Sequence, residues 1–216
     1  MTEPKPLSGR RAQAARNDDV ILAAARAVFL ADPGAPIAAV ADKAGVGISA
    51  LYRRYPSKEE LLRKLCGDGL AAYIAAVEAT LEALDGGTDP WDAFAAFLRR
   101  VVDAGSTSLT VKLAGTFTPS EHLFREAMRG DELNRELMRR LRAAGTVRPD
   151  LEVADIGLVL EQIATVRLGD ERRTSQLRHR YLALIMDGLR PPGTTKLPGP
   201  APSPNELAAR WQVAAG

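Results

Sequence analysis

The 216-residue chain has one cysteine, Cys66, so no internal disulfide can staple it. Its two histidines, His122 and His179, lie far apart and give no metal-ligand spacing with Cys66. No glycine-rich phosphate loop of the P-loop or dinucleotide type occurs. The adjacent pairs Asp18-Asp19 and Glu59-Glu60 are better explained as acidic first turns of helices than as acid–base dyads. No catalytic residue, metal or cofactor is therefore indicated, and an enzyme has nothing specific to stand on. Long apolar runs are missing too, since none approaches the roughly 20 residues a membrane span needs. Val20 to Ala31 is broken by Arg26 and preceded by Asp18-Asp19, which fits an amphipathic helix rather than a signal segment. No membrane partner is expected. With the single thiol set among Leu61, Leu62, Leu65 and Leu70, a structural role in a reducing, cytoplasmic setting is expected.

A strong charge of one sign is absent as well, the net charge being only +2. Its distribution is uneven. Residues 1–66 carry 11 Lys/Arg against 7 Asp/Glu, whereas residues 67–216 carry 18 against 20. The basic excess falls in one segment, as the electrostatic footprint of a nucleic-acid binder would. That segment contains Val40-Ala41-Asp42-Lys43-Ala44-Gly45-Val46-Gly47-Ile48-Ser49-Ala50-Leu51-Tyr52-Arg53-Arg54-Tyr55-Pro56-Ser57-Lys58. Small and apolar residues stand where two crossing helices must touch. Gly45 can adopt the left-handed conformation that ends a helix. Gly47 opens the next helix as an N-cap without a side-chain oxygen. Leu51 and Tyr55, four apart, face inward and leave Ile48, Ser49, Ala50, Arg53 and Arg54 outward. The pattern predicts a helix-turn-helix, which lays a short helix into the DNA major groove. Ser57 and Glu60 form the capping-box pattern of the following helix, with Lys58 in its first turn, where a nearby anion would suit it. Upstream, Asn17-Asp18-Asp19 is expected to cap the first helix, whose core positions are Ile21, Leu22, Ala25, Val28 and Phe29.

Residues 17–66 resemble the N-terminal domain of the TetR family of bacterial transcription regulators. The resemblance is carried by Ile21-Leu22-x-Ala24-Ala25-x-x-Val28-Phe29, Val40-Ala41-x-x-Ala44-Gly45-Val46 and Leu51-Tyr52-x-x-Tyr55-Pro56-Ser57-Lys58, in the family's order over roughly fifty residues. Val147-Arg148-Pro149-Asp150 and the stretch from Tyr181 to Leu189 look like an actinobacterial-type subgroup. By position, the resemblance implies phosphate contacts for Tyr52 and Lys58, and base-edge positions for Ile48, Ser49, Ala50 and Arg53. Two departures matter. The family often has Ser or Thr where Gly47 stands, and Lys, Gly and Thr where Ile48, Ser49 and Ala50 stand. Base reading is thus expected to lean on Arg53 and Arg54, apolar contact to thymine methyls, and DNA shape.

The rest of the chain reads as helices, so the expected fold is all-α. It comprises an N-terminal three-helix DNA-binding domain and a C-terminal helical domain for effector binding and dimerisation. The boundaries are a basic disordered arm over 1–16, the helix-turn-helix domain over 17–64, the helical domain over 65–190 and a Pro/Gly-rich tail over 191–216 with a possible short helix. In the arm, Arg10, Arg11 and Arg16 fit either a solvated tail or transient phosphate contact. Tyr73, Trp91, Phe94, Phe97, Phe117 and Met128, with Gln162 as a polar contact, describe an apolar effector pocket. They equally describe an ordinary helical core, and the pocket follows mainly from the resemblance. The last two helices carry apolar residues over a wide arc, including Ile156, Leu160, Ile163, Tyr181, Leu184 and Ile185, which fits a homodimer interface. Burial within one chain is the alternative. The expected partners are double-stranded DNA, a second copy and a small-molecule effector. The function expected is a dimeric repressor released from a palindromic operator by that effector. The alternative is a regulator without an effector, controlled by a protein partner or by abundance.

Overall fold

The structure is a computed structural model that describes residues 9–105, 109, 113–192 and 195–210. It is all-α, and among the described residues there is no strand. The helices are α1 (Gly9–Ala31), α2 (Ile37–Ala44), α3 (Ile48–Arg54), α4 (Lys58–Asp85), α5 (Pro90–Ala104), α6 (Glu121–Ala143), α7 (Val153–Thr165), α8 (Glu171–Leu189) and α9 (Pro204–Ala209). The chain divides into two compact units, residues 1–65 and 66–216, with α4 running through the boundary. None of the described helices is long and apolar enough to cross a membrane.

The first unit differs from expectation at its start. Helix α1 already covers Gly9 to Arg16, where a disordered arm was expected, and Asn17-Asp18-Asp19 lie inside the helix instead of capping it. The run Arg10-Arg11-Ala12-Gln13-Ala14-Ala15-Arg16 consists wholly of strong helix formers, which outweigh the capping preference of the residues that follow. Ile21, Ala25 and Phe29 from α1, Val40 and Ala41 from α2, Leu51 from α3, and Leu61, Leu62 and Leu65 from α4 are all buried. They supply the apolar contact that a unit of this size needs.

In the second unit, α5 starts with Pro90 behind Asp89, whose carboxylate accepts from the Asp92 N–H at 3.0 Å. Helix α6 is unbroken through Gly130, which lies against Ile74; a methyl there would meet that side chain at 3.4 Å. Gly169, at φ +70°, and the Asp170 cap separate α7 from α8. Gly188 does not end α8, which runs on to Leu189 before Pro191-Pro192 stops it. Phe94, Phe97, Leu98, Leu141, Ile156, Leu160, Ile163 and Leu182 form the centre of the core. Cys66 is buried. Residues 106–108 and 110–112 lie outside the described residues, as does Trp211.

The Val147-Arg148-Pro149-Asp150 motif fastens the C-terminal segment to this body. The nearly buried Arg148 guanidinium donates to the Asp150 carboxylate at 2.6 and 3.0 Å, to the Gly188 carbonyl and to the Thr195 carbonyl. The Leu197 N–H donates to Asp150 at 3.2 Å, and Arg210 pairs with Glu161 of α7 at 2.9 Å.

Candidate nucleic-acid interface

Helix α2 ends because Gly45 takes φ +65°, ψ 29°, a left-handed conformation that costs a side-chain-bearing residue about 1 kcal/mol or more. The turn is closed by the Val46 N–H, which donates to Ala41 O at 3.1 Å. Gly47, extended at φ −64°, ψ 138°, caps α3 through its carbonyl, which accepts from the Ala50 and Leu51 N–H groups at 2.9 and 3.1 Å. Leu51 is fully buried and Tyr55 nearly so, which fixes the rotation of this two-turn helix. Ile48 (40% exposed), Ser49, Tyr52 (46% exposed) and Arg53 then face solvent, with Ala50 half-buried among them. An exposed Ile and Tyr beside a cation on one short face fit contact with DNA bases and backbone, because apolar groups left in water suit a partner surface. Arg53 is exposed and, among the described residues, makes no hydrogen bond or ion pair, which leaves its five donors available to a partner.

Two of the expected contact residues are engaged internally. Arg54 grips Asp18 of α1 in a bidentate pair, Nε to Oδ1 at 2.8 Å and Nη2 to Oδ2 at 2.7 Å. The Tyr55 hydroxyl donates to Asp18 Oδ1 at 2.6 Å. The Arg54 guanidinium lowers the Asp18 carboxyl from its usual 3.8 to about 2, against the opposing effect of burial. Burial above all, and then Asp18, pushes the Tyr55 phenol upward. Lys58 donates to the Pro33 carbonyl at 2.9 Å and lies 5.1 Å from the centre of the Phe29 ring. Half of the expected capping box forms: the Glu60 N–H donates to Ser57 Oγ at 3.1 Å, while the Glu60 carboxylate turns to Arg63. Asp18 is the residue that sequence reasoning misplaced. The stripe Phe29, Ala25, Leu22, extended back one turn, reaches Asp18; a carboxylate at the end of an apolar face needs a cation.

In the second unit, Tyr73, Phe94 and Phe97 line a cavity of about 20 Å³ with Asn134, Leu137, Met138, Leu141, Val153 and Ile156. The Tyr73 hydroxyl donates to Asn134 Oδ1 at 2.9 Å, and burial pushes its phenol up to about 12. Four of the expected pocket residues stand elsewhere. Trp91 packs edge-on to Phe94 under the Arg190 guanidinium, Phe117 is buried outside the lining, and Met128 and Gln162 are exposed. The expected dimer residues also divide. Ile156, Leu160 and Ile163, spaced as one inward stripe, are buried in their own chain's core and offer no surface to a partner. Tyr181 (45%) and Leu184 (62%) are exposed on α8, and Ile185 is half-buried beside them.

A short helix crossed behind a glycine turn, with its inner side chains locked and its outer ones free, defines a DNA-binding protein of the helix-turn-helix class. Residues 21–65 match the family of bacterial regulatory proteins called tetR, and residues 89–191 match the C-terminal domain of SbtR-like transcriptional regulators. The HTH-type transcriptional repressor LfrR of Mycolicibacterium smegmatis is 34% identical over 155 residues, covering 69% of this chain and 75% of that protein. The crystal structure of LfrR in complex with proflavine aligns with 85% of this chain and 99% of its own, with TM-score 0.60 and 26% identity. A TetR transcriptional regulator from Streptomyces coelicolor aligns with 81% of this chain and 98% of its own, with TM-score 0.52 and 30% identity. The chain belongs to the TetR family. It is a DNA-binding transcriptional regulator and not an enzyme.

Proposed function

We propose that this regulator is a cytoplasmic homodimeric repressor that holds a palindromic operator with two copies of α3 and leaves it when a small molecule binds the helical body. The observation that carries the reading is the outward face of α3, where Ile48, Ser49, Tyr52 and Arg53 stand free around a buried Leu51. Arg53 suits a guanine edge, Ile48 and Ala50 a thymine methyl, and Tyr52 a phosphate. Pairing of two chains is supported by α8. Leu177, Tyr181, Leu184 and Gly188 follow one another at helical spacing, with the large side chains at 181 and 184 exposed. Two-fold symmetry would place two reading helices about 34 Å apart, one turn of DNA.

For the effector, the Tyr73–Asn134 pair in an otherwise apolar lining supplies a few polar groups among many apolar ones. LfrR, a relative, was crystallised with proflavine. The cavity must open for such a ligand, because about 20 Å³ holds roughly one water molecule. That tightness is also the specific observation favouring the second reading, a regulator with no small-molecule effector.

Selection of bound fragments from random DNA tests the main reading. The expected product is an inverted repeat with half-sites about ten base pairs apart; an asymmetric single site would remove the dimer. A thermal-shift screen that includes proflavine separates the two readings, since a ligand binding only the folded state raises the melting temperature.

A further inference from the structure

Asp18 stands on α1, yet it makes polar contacts with the C-terminal end of the reading helix. Its two oxygens take both arms of the Arg54 fork at 2.8 and 2.7 Å and the Tyr55 hydroxyl at 2.6 Å. Helix α3 has only seven residues and buries a single side chain, Leu51. Leu51 and the Tyr55 ring just beyond the last turn set its rotation by apolar packing, which is tolerant of small changes in angle, and the glycine turn at its N-terminal end restrains tilt only weakly. A bidentate carboxylate–guanidinium pair adds a planar, directional anchor at the C-terminal end. The Asp18 side chain is 13% exposed, whereas that of Arg54 is 60% exposed, so the cation lies at the surface with its charge already answered.

We infer that Asp18 is a positioning residue for sequence reading: it fixes the orientation of α3 through Arg54 and Tyr55, and withholds Arg54 from the DNA phosphates. Arg54 thereby acts as a strut and Arg53 as the reader, although the two are neighbours of the same type. The inference rests on the groove-reading role of α3 and goes beyond it by separating the two arginines.

The test measures affinity against salt for two duplexes of equal length, the fragment enriched from random DNA and an unselected random sequence. For Arg54→Ala, the salt slope is expected to match the wild type while the ratio of the two affinities falls about tenfold. A slope shallower by about 0.9 per reading head with the ratio intact would make Arg54 a phosphate contact and overturn the inference. For Asp18→Asn, the freed guanidinium is expected to steepen the slope by up to about 0.9 per head while selectivity drops. Unchanged slope and ratio in that variant, with only a lower melting temperature, would leave Asp18 a purely structural residue and sink the idea. Should Asp18→Asn fail to fold, Tyr55→Phe removes one of the three bonds and keeps the buried ring. It is expected to lose selectivity partially at unchanged slope, and full selectivity would count against the clamp. Absence of any selective binding by the wild type would overturn the DNA reading itself, which distinguishes the two failures.

Discussion

Helix α3 of the first unit and helix α7 of the second are held by different forces. Helix α3 buries one side chain of its own, Leu51, with the Tyr55 ring buried at its C-cap, and leans for the rest on backbone and polar devices: the left-handed Gly45, the Gly47 carbonyl cap and the Asp18 pair. Helix α7 buries Ile156, Leu160 and Ile163 in one stripe and starts behind Glu152, whose N–H donates to the Asp155 carboxylate at 2.8 Å. Directional contacts place a surface precisely while contributing little net free energy each, about 1 kcal/mol for an ordinary hydrogen bond. Apolar burial contributes more and is less particular about angle. Substitutions in the first unit should therefore alter reading before stability, and those in the second should alter stability before anything else.

The largest expected effect comes from Phe94→Ala. The ring is 1% exposed at the centre of the second unit's core and packs against Phe97 and Trp91. Its removal should cost about 3–5 kcal/mol in chemical denaturation and enlarge the cavity beside Tyr73. A loss below about 1 kcal/mol would mean the site collapses freely, and the contrast with the first unit would fail. Next is Leu184→Glu on the exposed side of α8. A charge at a paired apolar face should weaken self-association by about 2 kcal/mol or more, roughly thirtyfold, with little change in the monomer's unfolding midpoint. Sedimentation equilibrium reads the first quantity and a denaturant melt the second. An unchanged dimer would move the interface off α8.

Arg53→Ala should cost about 1–3 kcal/mol of discrimination at one base position while leaving thermal stability within about 0.5 kcal/mol of wild type. Competition binding against single-base variants of the selected site checks it. Wild-type selectivity would remove Arg53 from the base-reading set and leave Tyr52, Ile48 and DNA shape to carry it.

The same contrast explains what could be read from residue order. The helix-turn-helix was legible because its devices are local: a glycine where φ must be positive, small residues where helices cross, and a Ser three residues before a Glu. Asp18 was not, because its partners lie 36 and 37 residues away and only the folded unit brings them together. In the helical body, the period of Ile156, Leu160 and Ile163 announces a buried face but not whose atoms cover it, since a chain's own core and a second copy leave the same signature. Aromatic identity misled in the same way. Tyr73, Phe94 and Phe97 line the cavity, whereas Trp91 and Phe117 share their aromatic chemistry and not their location. The polar partner that completes the lining, Asn134, gives no signal in sequence, because an Asn in mid-helix is unremarkable until Tyr73 reaches it from α4.

The smallest effect compares two carboxylates, one in each unit. Asp18 and Asp150 are each lowered from an ordinary 3.8 to about 2, chiefly by hydrogen bonds from Arg54 and Arg148 respectively. A carboxyl that ionises more readily folded than unfolded contributes stability above its unfolded value and loses it as protons are taken up. The contribution is thus complete above about pH 5 and fades as pH falls from about 4 towards 2. The two losses should be separable by position. Hydrogen exchange at low pH should show α1 and α3 loosening through Asp18, and residues 195–197 with the end of α8 loosening through Asp150, which also accepts from the Leu197 N–H. Asp18→Asn should flatten the acid dependence of α1 and α3 alone, and Asp150→Asn that of the C-terminal segment alone. If either substitution flattened both, the two units would be acting as one cooperative body, and the distinction between a polar-clamped head and an apolar-packed trunk would not hold.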